Sequence, residues 1–401
     1  MISRRLFLQS AAALASVAGG ARAARAAGAP GVTETEIKIG QTMPYSGPAS
    51  AFGVMGRTEA AYFRMINDEG GINGRRIDLI SLDDAYSPPN TVEQVRRLVE
   101  QEGAAFIFGS LGTATNLAVR QYLNDMKTPQ LFIASGASLF ADPQHFPWTM
   151  AMLPNYQTEA RIFAKRILAT KPDARIAVLY QNDAFGKDYL IGLEDFPGPD
   201  RAHIVKEASY EVSDPTIDSQ VIALEASGAD VFVIAATPKF AAQAIRKSSD
   251  IGWNAARYLS YVSASIAATL KPAGLDKSKG VISTAFAIDP TDPSYAGDPG
   301  VVAWKQFTSA YMSAAEFADP SAATGFYSAA TMVQALRQCG DDLSRENIMR
   351  QAANIKNFHA PLLLVGVDVN TSRDNFRPIR QLQFRYFNGE TWEFLGEVLS
   401  D

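Results

Sequence analysis

The feature that most narrows the fold of this chain is a rhythm. Short apolar, β-branched runs alternate with longer amphipathic stretches, and the pattern plays through twice. In the first pass "EIKIGQTMP" precedes "GVMGRTEAAYFRMINDEG", "RRIDLISLDDA" precedes "SPPNTVEQVRRLVEQEG", and "AAFIFGS" precedes "TATNLAVRQYLNDM". In the second of these helices Val92, Val95, Leu98 and Val99 share one face, Pro88 and Pro89 suit the first turn, and Glu93 sits four residues before Arg97. Strand, helix, strand in this order implies a parallel sheet with helices on both faces.

The rhythm restarts after "WTMAMLPNYQTEARIFAKRIL". "ARIAVLYQND" leads into "FGKDYLIGL", "ADVFVIAATP" into "KFAAQAIRKSSDIG", and "RYLSYV" into "SASIAATL". The fold class expected is therefore α/β, with two doubly wound parallel-sheet units of similar size and no Pro/Gly/Ser linker between them. At 401 residues the chain is long enough to bury two cores. A third helical block, "PGVVAWKQFTSAYMSAAEF", "GFYSAATMVQALRQC" and "RENIMRQAANI", needs a sheet to cover, so the chain is expected to cross back to the first unit near Ile282 to Asp289. It ends in an alternating hairpin pattern around Asn388-Gly389.

The N-terminus reads "MISRRLFLQSAAALASVAGGARAARAAGAP". A charged start, an apolar stretch from Leu6 to about Val17 and small residues at Ala21-Arg22-Ala23 and Ala24-Arg25-Ala26 describe an export leader over residues 1–27. Arg4-Arg5 give it the twin-Arg form. A membrane anchor is the rival reading, but the apolar stretch falls short of the ~20 residues that span a bilayer. The mature chain is thus expected to be a soluble periplasmic protein. Loss of Arg4, Arg5, Arg22 and Arg25 takes the net charge from −5 to −9, a surface that repels nucleic acid and anionic membrane. Cys339 has no partner for an internal disulfide and reads as a buried thiol.

In parallel sheets, ligands bind beyond the carboxyl ends of the strands. Several loops there are rich in glycines and small hydroxyls: "GSLGTATN" from Gly109 to Asn116, "ASGAS" from Ala134 to Ser138, Asn182 to Gly186, Thr237-Pro238 and Tyr261-Val262-Ser263. "GSLGTATN" lacks the Lys of a P-loop and the third spaced glycine of a dinucleotide fingerprint, so no cofactor is implied. Thr113, Thr115 and Ser138 offer hydroxyls, and a helix starting at Thr113 would present unpaired amides to a carboxylate. The same hydroxyls would also serve as helix caps, and spacing leaves both roles open. Catalysis finds little support. His145, His203 and His359 are scattered, no G-x-S-x-G or H-E-x-x-H occurs, and Asp83-Asp84 reads as a capping or solvated pair. No His/Cys/Asp cluster has metal-ligand spacing. The chain reads as a binder, not an enzyme.

"IGQTMPYSGPASAFG", "INDEGGINGRRIDLISLDD", "FGSLGTATN", "IASGAS" and "VLYQNDAFGKDYL" together resemble the type I periplasmic binding proteins of the leucine/isoleucine/valine-binding type, which feed ABC importers. The likeness runs in order from Glu36 to Val398. It implies two lobes joined by a three-crossover hinge, 34–155 with 285–378 and 156–284 with 379–401, which close on a ligand. By that resemblance Leu111, Gly112 and Thr113 hold the ligand carboxylate, and Gly136, Ala137 and Ser138 complete its cradle. Phe52 and Phe185 stand where that family places aromatic walls, Tyr261 at its strand end is a further wall candidate from the sequence itself, and Thr237 stands where amino-acid binders often carry another aromatic residue. It further implies a monomer, without cofactor or metal, that serves a membrane permease. One departure stands out: amino-acid binders hold the ammonium with an acid at the end of a second-lobe strand, yet "YLSYVSAS" contains none. Branched-chain or other amino acids and aromatic or organic acids both remain open as ligands. A periplasmic ligand-sensing protein and a secreted enzyme are the alternative readings.

Overall fold

Strands such as Val231–Ala235, buried along their whole length, find no solvent face, and helices must close both sides of their sheet. The computed structural model describes residues 29–195, 203–313 and 319–400, and the leader expected over residues 1–27 lies outside them. The first sheet is five-stranded and parallel: β1 (Glu36–Met43), β2 (Arg76–Asp83), β3 (Phe106–Phe108), β4 (Gln130–Ile133) and β5 (Thr149–Ala151), in the order β2-β1-β3-β4-β5.

The second sheet has seven strands: β6 (Ile176–Gln181), β7 (Ile204–Tyr210), β8 (Val231–Ala235), β9 (Ala256–Leu259), β10 (Ile282–Ala285), β11 (Gln381–Phe387) and β12 (Trp392–Ser400). Their order is β12-β11-β10-β9-β8-β6-β7, parallel from β7 to β10 and antiparallel at β11 and β12. The hairpin turns at Asn388, whose N–H donates to the Thr391 carbonyl.

The chain enters the second sheet through helix Tyr156–Thr170 and leaves it after β10. It then builds helices Pro299–Tyr311, Pro320–Gln338 and Arg345–Ala352, which cover the first sheet. Phe326 and Phe307 meet Tyr62 of helix Gly53–Asp68 at ring-centroid separations of 5.2 and 5.9 Å, so this packing ties distant parts of the sequence into one core. Finally the chain returns to the second sheet at β11. Strand order reverses beside β1 and β3 in one sheet and beside β6 and β8 in the other, and ligands lodge at such switch points. Among the described residues no helix is long and apolar enough to cross a membrane.

Candidate functional site

The loop after β3 is held from within. The buried Asn116 donates from Nδ2 to the Ser110 and Gly112 carbonyls at 3.0 and 2.7 Å, while its Oδ1 accepts from Gln130. Gly112 caps helix Thr113–Asp125 at φ 105°, and a Cβ there would lie 2.5 Å from Thr115 Oγ1 and 2.6 Å from the Tyr86 ring. Only glycine fits. No side chain caps this helix, so its first N–H groups and positive dipole end face the space beyond β3. Thr115 Oγ1 is spent on the Leu111 carbonyl at 2.6 Å, whereas Thr113 pairs with Ser135 Oγ at 2.8 Å. Thr113 is therefore not a cap.

Ser135, not Ser138, is the serine paired with Thr113, and the cause lies in β4. Phe132 adopts φ 51°, and the register of β4 against β5 shifts between Gln130 and Ile133. Such a bulge re-aims the residues that follow. Ser135 is turned toward Thr113, while Ser138 points elsewhere. Its N–H and Oγ both donate to Asp188, each at 2.7 Å, and Gln157 donates to the same pair. Ser138 therefore ties the loop after β4 to helix Ala184–Glu194. The Ala137 N–H donates to Ser135 Oγ at 3.2 Å. Gly136 packs so close to the Pro154 carbonyl and Tyr261 Oη that a Cβ would sit 2.1 and 2.5 Å from them.

The opposite wall is aromatic. Tyr156 meets Phe185 at 4.9 Å, Tyr189 at 5.7 Å and Tyr261 at 5.9 Å between centroids, and Tyr261 continues through Phe286 to Tyr327. Tyr261 Oη donates to the Pro154 carbonyl at 2.7 Å. Its N–H donates to Glu159, which also accepts from Thr284 Oγ1 at 2.5 Å and from Tyr189. Burial raises the Glu159 carboxyl to about 7 against those hydrogen bonds. Beside Phe185, Gln181 donates to Asp183 at 2.7 Å and to Tyr86 Oη at 3.4 Å, and its Oε1 accepts from Tyr210 at 3.1 Å. Tyr210 Oη in turn accepts the Thr237 N–H at 3.0 Å. The Asp183 carboxyl, raised by burial, is committed to Gln181 and to capping Phe185 and Gly186.

Tyr86 reaches this network because Ala85 and Tyr86 both hold positive φ, 51° and 59°. The adjacent carboxylates fix that turn. Asp83 accepts from the Ala85 N–H, and Asp84 accepts from the Tyr86 N–H and from Thr91 Oγ1. The Asp83-Asp84 pair is thus a capping device, and the strained backbone it holds places a ring in the cleft.

These walls enclose a cavity of about 130 Å³ between the two sheets. Of the residues singled out from sequence, Phe52, Leu111, Gly112, Thr113, Phe185, Thr237 and Tyr261 line it, whereas Gly136, Ala137 and Ser138 do not, and Ser135 stands behind Thr113 rather than in the lining. Sequence reasoning missed Tyr86, Tyr156, Phe286, Tyr327, Asp289 and Arg385, which also line it. Tyr86 fell between a strand stretch and a helix stretch, Tyr156 lay in the stretch before the rhythm restarts, and Phe286, Asp289 and Arg385 follow or belong to β10 and β11, far from any glycine-rich loop. The stretch Tyr258–Ser265 brings no acid to the cavity, and among the described lining residues Asp289 is the acid and Arg385 the base. No group of His, Cys, Asp and Glu among the described residues is placed to hold a metal ion.

Comparison with known proteins places this geometry in context. A family model described as periplasmic binding protein matches residues 36–390. A Leu/Ile/Val-binding protein homologue from Brucella abortus is 26% identical over 205 residues, 49% of this chain and 51% of that protein. The match thus spans about half the length of that relative. A branched-chain amino acid ABC transporter protein from Thermus thermophilus, solved with bound valine, superposes with a TM-score of 0.82 at 15% identity, covering 92% of this chain and 98% of its own. A fatty acid ABC transporter substrate-binding protein from Thermomonospora curvata gives 0.76 at 18% identity, with 93% and 94% covered.

Proposed function

Because the chain belongs to the periplasmic binding protein family, we propose that it is the solute-binding component of an ABC uptake system, closing two lobes on a small ligand that bears a carboxylate. The observation that carries this reading is the uncapped start of helix Thr113–Asp125 beside the Thr113–Ser135 hydroxyl pair, at the edge of an aromatic cavity. Amide donors, a positive dipole end and the Thr113 hydroxyl, backed by Ser135, suit an anion of carboxylate size. The lobes proposed are 34–155 with 285–378 and 156–284 with 379–401. The Tyr86–Gln181 contact, which joins the loop after β2 to β6, supports a closed arrangement.

The ligand class follows from the charges. The acid of the cavity lining, Asp289, is already engaged by neutral donors, since its Oδ1 accepts from the Thr291 N–H and Oγ1, and the lining also carries the positive charge of Arg385, which disfavours an incoming ammonium. Asp183 and Glu159 are committed to their own donors. A buried ammonium without a counter-charge is costly. A 2-oxo or aryl acid therefore fits better than the amino acid of the same skeleton. The cavity is of the order of the ~150 Å³ void that takes up benzene, so such an acid is also of suitable size. The lining pairs no nucleophile with a base, which favours binding over catalysis. Paired calorimetric titrations test the reading: phenylpyruvate is expected to bind more tightly than phenylalanine, and 4-methyl-2-oxopentanoate more tightly than leucine. Tighter binding of the amino acid in both pairs would return the cleft to amino acids.

A further inference from the structure

The hinge end of the cavity holds a cation that the carboxylate site at Thr113 does not use. Arg385 lies in β11, opposite Ser283 of β10 and Phe394 of β12, and joins Ser265, Thr284 and Asp289 in the cavity lining. Its guanidinium carbon stacks 4.5 Å from the centroid of the Trp392 ring. Stacking leaves the in-plane N–H donors unspent, and the buried Nε has no acceptor. Neither nearby acid forms an ion pair with it. Asp289 and Glu159 act on it only through space, and Glu159 is taken up by Tyr189, Thr284 and the Tyr261 N–H. Although burial lowers the guanidinium to about 10, it stays charged at neutral pH. A partly buried, positively charged fork with no direct partner is poised for an incoming anion, and its planar geometry suits a carboxylate at two points.

We infer that Arg385 forms a second anion subsite, so that the solute of this cleft is a small diacid with one carboxylate at Thr113 and the start of its helix and the other at Arg385. This inference rests on the cleft being a carboxylate site, as proposed above. The aromatic chain from Tyr156 through Tyr261 and Phe286 to Tyr327 then packs along the skeleton between the two ends.

The test titrates matched pairs of increasing length by calorimetry: 2-oxopentanoate against 2-oxoglutarate, hexanoate against adipate, and phenylacetate against 4-carboxyphenylacetate. At least one diacid is expected to bind about ten- to a hundred-fold more tightly than its monoacid, the range of one charge-assisted contact. Arg385→Met should erase that advantage, bringing the diacid and monoacid affinities of each pair together whatever their common level, and Arg385→Lys, which keeps the charge but not the fork, should retain part of it. Thermal melts of the unliganded variants report their folding, and the wild-type comparison stands without them. Monoacids binding as tightly as diacids in every pair would overturn the role of Arg385 while leaving the Thr113 site intact. A diacid advantage surviving in a folded Arg385→Met would overturn it too. Failure of every acid to bind would overturn the carboxylate cleft itself, and this inference with it.

Discussion

Replacing Thr113 with valine keeps the shape of the side chain and removes one hydroxyl. Thr113 is 2% exposed, so valine fits the space without new solvent contact. In the unliganded protein the change costs Ser135 its 2.8 Å partner, but Ser135 Oγ still accepts from the Ala137 N–H. That loss is expected to be about 1 kcal/mol of stability. With a carboxylate bound, the missing donor would have served a charged acceptor, an interaction of about 1.5–3 kcal/mol, so affinity should fall about ten- to a hundred-fold. Calorimetric titration with 4-methyl-2-oxopentanoate reads this directly. Ser138→Ala is the control: its hydroxyl serves Asp188 and Gln157, so affinity should stay within about twofold while the melting temperature drops. Unchanged affinity in Thr113→Val, or an equal loss in Ser138→Ala, would refute the assignment.

Other expectations follow from the same contacts. Glu159 titrates at about 7 in the folded protein against an ordinary 4.5, so the native state holds the extra proton and stability falls as pH rises through that window, by about 3 kcal/mol in all. Glu159→Gln should flatten this slope in pH-dependent urea melts, and an unaltered slope would exclude Glu159 as its source. Gly112→Ala forces a side chain to φ 105° and into the Tyr86 ring, costing ~1–2 kcal/mol in backbone strain alone, so both melting temperature and acid affinity should drop. Small-angle scattering should show a smaller radius of gyration with saturating 4-methyl-2-oxopentanoate, since closure is a shift toward the state in which both lobes touch the ligand, and no compaction with a verified ligand would argue for a fixed cleft.

Much of this was legible in the sequence because it is written locally. A buried strand that runs into glycines and small hydroxyls announces a strand-end loop, and Leu111, Gly112, Thr113, Phe185 and Thr237 all came from such loops. The surplus helices after residue 299 announced a return to the first sheet. What escaped reading was set by backbone geometry or by distant pairing. The family resemblance points to Ser138 in "ASGAS", but the left-handed Phe132 rotates the chain so that Ser135 faces Thr113. Tyr86 enters the cleft only through two left-handed residues pinned by Asp83 and Asp84. Arg385 sits in a strand whose alternation predicts a hairpin, and only its antiparallel pairing with β10 brings it to the cavity.

The most direct measurement is a crystal structure of the protein with 4-methyl-2-oxopentanoate. Its carboxylate oxygens are expected about 2.7–3.1 Å from Thr113 Oγ1 and the first amides of helix Thr113–Asp125, with the alkyl end among Phe52, Tyr86 and Phe185. A carboxylate found elsewhere, with the Thr113–Ser135 hydrogen bond undisturbed and the helix start unvisited, would contradict it.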